Sequence, residues 1–168
     1  MSNIKSIFVI LAATLLVACS SVDCGTSGRV TCNFAIQDED GKSYDIPYYL
    51  SVTITRSIDG SDTTLVNKQY ATSSLNLPMS YVGESDTYTF TIEDDLDNPT
   101  VTVTDKLTIS KTNKPHFEDV ECVARYYHTI TDIESTTNYI EDFELKNNSV
   151  TNNASVTNII LRVRPTLK

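Results

Sequence analysis

Tryptophan is absent from the chain, histidine occurs twice, and glycine and proline occur five times each in 168 residues. So little Gly and Pro excludes a collagen-like or low-complexity chain, and a 40% hydrophobic fraction excludes wholesale disorder. Basic side chains are also scarce, 13 against 22 acidic ones for a net charge of −9, and they cluster nowhere. A phosphate backbone is held by concentrated positive charge, so nucleic acid is set aside as a partner. No Gly-rich phosphate loop, nucleotide fingerprint or Cys/His zinc spacing occurs, and no cofactor is expected. A Ser or Cys nucleophile needs an imidazole beside it, and only His116 and His128 exist. His116 follows a proline at a loop-to-strand junction and His128 lies within a strand pattern, so both read as packing or hydrogen-bonding residues. Their separation of twelve residues gives no metal signature.

Long hydrophobic runs are missing too, with one exception at the start. Lys5 precedes Ile7–Val17, an eleven-residue apolar stretch. That is signal-peptide length, short of the about 20 residues a membrane-spanning helix needs. It ends in Leu16-Val17-Ala18-Cys19, which resembles the bacterial lipobox: an apolar residue at −3, a small residue at −1 and the cysteine that is lipidated. Residues 1–18 are therefore expected to be a lipoprotein signal peptide, with Cys19 as the lipidated first residue of the mature chain. Several acyl chains at about 0.8 kcal/mol per buried methylene hold far more firmly than one. The expected partner of this end is the lipid bilayer, and the expected location is the outer membrane, on its periplasmic or cell-surface face.

Processing at that point leaves 150 residues with 12 basic and 22 acidic side chains, a net charge of −10. A chain of this size buries roughly 70% of its unfolded surface and can form its own core. Residues 19–28 (CSSVDCGTSG) read as a tether, and 29–168 as a single domain. With Cys19 lipidated, Cys24, Cys32 and Cys122 remain, an odd number that allows one intramolecular bridge. Closing a loop of about 100 residues stabilises by roughly 4.7 kcal/mol, against roughly 2.6 for the short loop from Cys24 to Cys32. Cys32 also stands in phase with Val30, Phe34 and Ile36, as a small apolar side chain facing the core would. The expected bridge is Cys24 to Cys122.

What the chain has in abundance is alternation of period two. Leu50, Val52 and Ile54 alternate with Ser51, Thr53 and Thr55; Tyr88, Phe90 and Ile92 alternate with Thr87, Thr89 and Thr91. Thr100–Ile109 continues the pattern, and no segment sustains a helical period. Threonine suits a pleated surface because its branched Cβ packs while its hydroxyl faces water. Further strands are expected over 29–37, 63–68, 121–133, 139–146 and 156–163, with turn chemistry between them at Asp38–Gly41, Ile58–Gly60, Val82–Glu84, Asp97–Pro99, Asn113–Pro115 and Asn147–Ser149. The fold class is all-β: an antiparallel β-sandwich, immunoglobulin-like or related, of seven to nine strands. A closed barrel is the alternative with the same strand pattern.

Residue by residue, the chain resembles a family of small uncharacterised lipoproteins from Bacteroides-type gut bacteria. The resemblance runs from Cys19 to about Val163 and rests on Cys-Ser-Ser-Val-Asp-Cys at 19–24, Asp59-Gly60-Ser61-Asp62-Thr63 with Leu65-Val66-Asn67, and Leu77-Pro78-Met79-Ser80-Tyr81. Its clearest part is Pro115-His116-Phe117-Glu118-Asp119-Val120-Glu121-Cys122, followed by His128-Thr129-Ile130-Thr131. Members carry cysteines at the positions of Cys24 and Cys122, which implies the long-range bridge, while Cys32 departs from their pattern. The resemblance implies an outer-membrane lipoprotein with a β-rich domain and brings no activity with it.

Asp38, Asp40 and Asp45 around Gly41 place oxygens as the start of a calcium loop does, and Glu93–Asn98 is as acidic, but the bidentate Glu of a complete loop is missing. Solvated hairpin turns are the plain reading. Tyr44, Tyr48, Tyr49, Tyr126 and Tyr127 offer aromatic faces for a sugar, although strand alternation exposes some tyrosines regardless. Two functions follow. The first is a non-catalytic envelope lipoprotein that binds an envelope protein or glycan or serves an accessory role. The second is a polysaccharide-binding or polysaccharide-hydrolysing lipoprotein that uses paired carboxylates.

Overall fold

The alternating segments form strands in a computed structural model of the chain, which describes residues 30–56, 58–119 and 122–167. In chain order they are β1 (Thr31–Gln37), β2 (Ile46–Arg56), β3 (Asp62–Thr72), β4 (Ser74–Pro78), β5 (Ser85–Glu93), β6 (Thr102–His116), β7 (Arg125–Ser135), β8 (Ile140–Leu145), β9 (Ser149–Val150) and β10 (Ile159–Val163). No helix occurs among the described residues. The chain divides into two compact units. One holds the described segments 30–56, 58–116 and 124–167, and with them all ten strands. The other holds, among the described residues, Phe117–Asp119, Cys122 and Val123; in it the Cys122 amide donates to the Asp119 carbonyl at 3.1 Å.

The strands make a four-stranded sheet, β4-β1-β10-β8, and a six-stranded sheet, β3-β2-β5-β6-β7-β9. Their apolar faces form one core, in which Phe34 of the smaller sheet meets Tyr88 and Phe90 of the larger edge-on at 6.1 and 6.4 Å. This is the expected all-β sandwich, with ten strands where seven to nine were expected. The extra strands carry too little pattern to read: β4 has two core leucines, Leu75 and Leu77, and β9 is two residues long. All pairings are antiparallel except β1 with β10, which run parallel from Phe34↔Ile159 to Gln37↔Arg162.

Strand β5 shows how the period becomes burial. Asp86, Tyr88, Phe90 and Ile92 point inward while Ser85, Thr87, Thr89, Thr91 and Glu93 stay half-buried on the other face. Each apolar side chain so enclosed contributes about 1.5–3 kcal/mol. The left-handed turn positions fall on Gly41 and Gly60, at φ 78° and 65°, where a side chain would be strained. At the outer edge of the large sheet, β3 is bulged: Lys68 and Ala71 take φ of 48° and 51°, and the β2–β3 register shifts three times. A bulged edge with a charged side chain resists pairing with another chain. On β6 the buried Asp105 carboxylate accepts hydrogen bonds from the Asn138, Tyr139 and Ile140 amides and the Thr136 hydroxyl at 2.6–2.8 Å, which ties the β7–β8 connection to the sheet.

Candidate binding site

The residues singled out by sequence do not converge on one place. Cys19 and Cys24 lie outside the described residues. Cys122 is disulfide-bonded. Cys32 is a free thiol buried in β1, and desolvation raises its pKa, so it behaves as the small core residue its spacing suggested.

The calcium reading of Asp38, Asp40 and Asp45 is not supported. Asp38 accepts the Lys42 amide at 2.8 Å and closes its own turn, Asp40 faces the Lys42 ammonium at 3.7 Å, and Asp45 is exposed. No group of three or more His, Cys, Asp or Glu able to hold a metal occurs among the described residues. The second acidic loop closes on itself as well. Asp94 takes hydrogen bonds from the Thr100 hydroxyl and the Val101 and Thr100 amides, Asp95 from the Asn98 and Asp97 amides, and these bonds hold both carboxyls below their ordinary pKa.

The tyrosines separate by location. Tyr44 donates to the Pro165 carbonyl at 3.3 Å, Tyr48 meets the buried Tyr139 edge-on, and Tyr49 packs beside Tyr70. At the far end of β6 and β7, Tyr126 stacks on Tyr81 with ring centres 4.9 Å apart and planes 23° from parallel. Consecutive strand residues face opposite ways, so Tyr127 lies on the other face of the ribbon, stacked on His116 at 4.4 Å with its hydroxyl bound to Asn152. An open slot of about 400 Å³ along β3 and β4 is lined by Leu65, Val66, Leu75 and Leu77 among others, and no charged side chain enters it.

Tyr81 belongs to the connection from β4 to β5, and this loop is clamped from inside the sandwich. Its backbone is tied at four points. The Tyr88 hydroxyl donates to the Pro78 carbonyl at 2.9 Å, and the Ser80 amide donates to Asp86 Oδ2 at 2.9 Å. The Gly83 carbonyl accepts from Lys111 Nζ and from Asn113 Nδ2, each at 2.8 Å, and the Glu84 carbonyl accepts the Lys111 amide at 2.8 Å. Between these ties the chain turns outward, leaving Tyr81 60% and Val82 53% exposed.

At the centre of the clamp Lys111 Nζ sits 3.1 Å from Asp86 Oδ2, with both side chains wholly out of solvent. Behind it, His128 Nδ1 lies 2.7 Å from Asn113 Oδ1. Asn113 Nδ2 already donates to Gly83, so its Oδ1 is the acceptor and the proton sits on His128 Nδ1. Burial, with Lys111 nearby, lowers the His128 pKa to about 4, so the ring is neutral at physiological pH. Desolvation raises the Asp86 pKa, against the pull of the Ser80 amide and of Lys111. Asp86 Oδ1 is buried with no hydrogen-bond partner. An ion pair this deep gains little over apolar packing.

Sequence reasoning passed over Asp86, Lys111 and Tyr81 as site residues. The signal was present in the alternation: Asp86 is in phase with Tyr88, Phe90 and Ile92, and Lys111 is in phase with Val103, Leu107 and Ile109. Charged residues at core-facing positions mark a buried network. Tyr81 closes the Leu77–Tyr81 motif that carried the resemblance.

No curated protein and no solved structure matches the chain. A family model matches residues 50–162, from within β2 to within β10, and so encloses the clamped loop, its ion pair and the aromatic stack. On that match the chain belongs to the Family of unknown function (DUF6452).

Proposed function

We propose that the protein is a lipid-anchored, non-catalytic binding module of the cell envelope, tethered through Cys19 and contacting its partner through the loop that carries Tyr81. The observation that carries the binding reading is the clamp. A fold that places a fully buried Asp–Lys pair beneath a loop, and leaves an aromatic residue standing out between the ties, presents a preorganised contact surface. Binding then requires little further ordering. The anchor is supported by Ile7–Val17 and Leu16-Val17-Ala18-Cys19, and an outer-membrane location with a Cys24–Cys122 bridge by the resemblance.

The hydrolase alternative needs two carboxylates facing one cleft. The buried carboxylates are otherwise engaged, Asp105 by four donors of the β7–β8 connection and Asp86 by Lys111 and Ser80. On the surface, Asp142 and Glu144 both pair with Arg162.

The test is a photoreactive phenylalanine analogue at position 81 of the full chain in its own envelope, with position 58, equally exposed, as control. Adducts from position 81 and none from position 58 support the reading, and equal yields overturn it. The anchor is tested separately: radiolabelled palmitate should enter the wild-type chain and not Cys19→Ser.

A further inference from the structure

We infer that the loop carrying Tyr81 rests on the bilayer that holds the lipid of Cys19, with Tyr81 and Val82 in the headgroup layer; this rests on the readings of Cys19 as the anchor and of the loop as the contact site, and it names the partner. The chain enters the sandwich at the end that bears this loop. Strand β1 begins at Thr31, which pairs with Pro78 at the root of the β4–β5 connection. Twelve residues separate Cys19 from Thr31, a reach of at most about 40 Å. The proposed bridge supplies a second path: Cys24 is five residues from Cys19, and Cys122 follows the last residue of β6 by six. Strands β6 and β7 meet the loop at this end, since Asn113 donates to Gly83 and Tyr126 stacks on Tyr81. Both paths from the lipid therefore lead to the same end of the sandwich.

The tip of the loop is apolar. From Ser80 to Gly83 it carries no charge, and the two side chains that project, Tyr81 and Val82, are each more than half exposed. Glu84 follows only after the Gly83 carbonyl has been tied inward by Lys111 and Asn113. The β2–β3 turn stands at the same end, where Arg56 pairs with Asp86, and it exposes Ile58; but Arg56, Asp59 and Asp62 surround that side chain, with Arg56 and Asp59 paired at 3.0 Å. Charged groups resist transfer into lipid, so this turn stays in the aqueous layer. At the far end Leu96 is exposed between Asp95 and Asp97. Tyrosine is enriched at headgroup depth, where its ring and hydroxyl meet different phases. Tyr126 supports the ring from behind, and the ties at Pro78, Ser80 and Gly83 hold the loop, so contact requires little ordering. Two side chains alone hold a free chain on a membrane weakly; on a lipidated chain their contact is intramolecular and sets which end of the domain faces the bilayer.

The chain has no tryptophan, so one introduced by substitution reports alone. The full lipidated chain, as Tyr81→Trp, Ile58→Trp or Leu96→Trp, is placed in phosphatidylethanolamine–phosphatidylcholine vesicles with and without bromine on the phosphatidylcholine acyl chains near the headgroup. Brominated lipid should quench Tyr81→Trp several-fold and leave Ile58→Trp and Leu96→Trp nearly unchanged. Adding Val82→Asp to Tyr81→Trp should remove most of the quenching at an unchanged melting temperature, and adding Cys19→Ser should remove it as well. No quenching of Tyr81→Trp, or equal quenching at the three positions, overturns the inference, as does quenching that survives Cys19→Ser. A protein adduct from the photoreactive group at position 81, together with no quenching of Tyr81→Trp, would retain the loop as the contact site and replace the lipid by a protein. Failure of both experiments removes the contact site, and a wild-type chain that takes up no palmitate removes the anchor and this inference with it.

Discussion

His128 and Asp86 sit in one network yet respond oppositely to pH. His128 has a folded-state pKa of about 4 against 6.5 when unfolded, so between these values the unfolded chain binds the additional proton. Stability from this residue is complete above pH 6.5 and falls by roughly 3 kcal/mol as pH drops to 4. Asp86 has its pKa raised, so in its own window above 3.8 the folded state holds the proton and acidification favours folding. Urea denaturation of the wild type and His128→Gln separates the two: the variant keeps a donor toward Asn113 and should lose the decline between pH 6.5 and 4. A second prediction concerns the ion pair. Asp86→Ala leaves the Lys111 charge buried without a partner and should destabilise by about 3–5 kcal/mol, whereas Asp86→Leu with Lys111→Met should recover most of that loss. Chemical denaturation of the three chains tests this, and a double variant as unstable as the single one would show that the pair itself holds the fold.

Among the elements, the β7–β8 connection depends on a single side chain. Asp105→Ala removes the acceptor for three backbone amides and one hydroxyl, two of those amides buried, and should lower stability by at least about 3 kcal/mol. Calorimetry of the variant checks it. Eight of the ten strands could be read from alternation and turn chemistry. Strands β4 and β9 could not, having two apolar positions and two residues to show. Nor could the parallel pairing of β1 with β10, which depends on where the chain returns and not on either strand's pattern.

The site was legible only in part, for a related reason. Asp105 interrupts the apolar file of Val103, Leu107 and Ile109, and Asp86 and Lys111 occupy core-facing positions, so a buried polar network could be read from phase alone. That Asp86 meets Lys111, and that together they hold the β4–β5 loop, follows from the β5–β6 register and its continuation past Ser110. A density of carboxylates looks the same in sequence whether it awaits a cation or caps its own amides; Asp38, Asp94 and Asp95 do the latter.

At the scale of the molecule, the disulfide at Cys122 and the clamped loop of the sandwich stand beside the lipid anchor proposed at Cys19. Non-reducing peptide mapping of the full chain should find Cys122 linked to Cys24. A link from Cys122 to Cys19 would leave no thiol for the lipid and would contradict the anchor. Apart from the buried Asp86 and Asp105, acidic side chains stand on turns and outer strand faces, where Arg162 between Asp142 and Glu144 is an example, and there they serve solubility and discourage edge pairing. The central claim is that the buried Asp86–Lys111 pair is there to hold Tyr81 ready for contact. Its most direct test is the photo-cross-linking yield from position 81, measured in the wild-type background and in Asp86→Leu/Lys111→Met at equal amounts of folded protein. The account predicts a yield several-fold lower in the double variant at a similar melting temperature; an unchanged yield would contradict it.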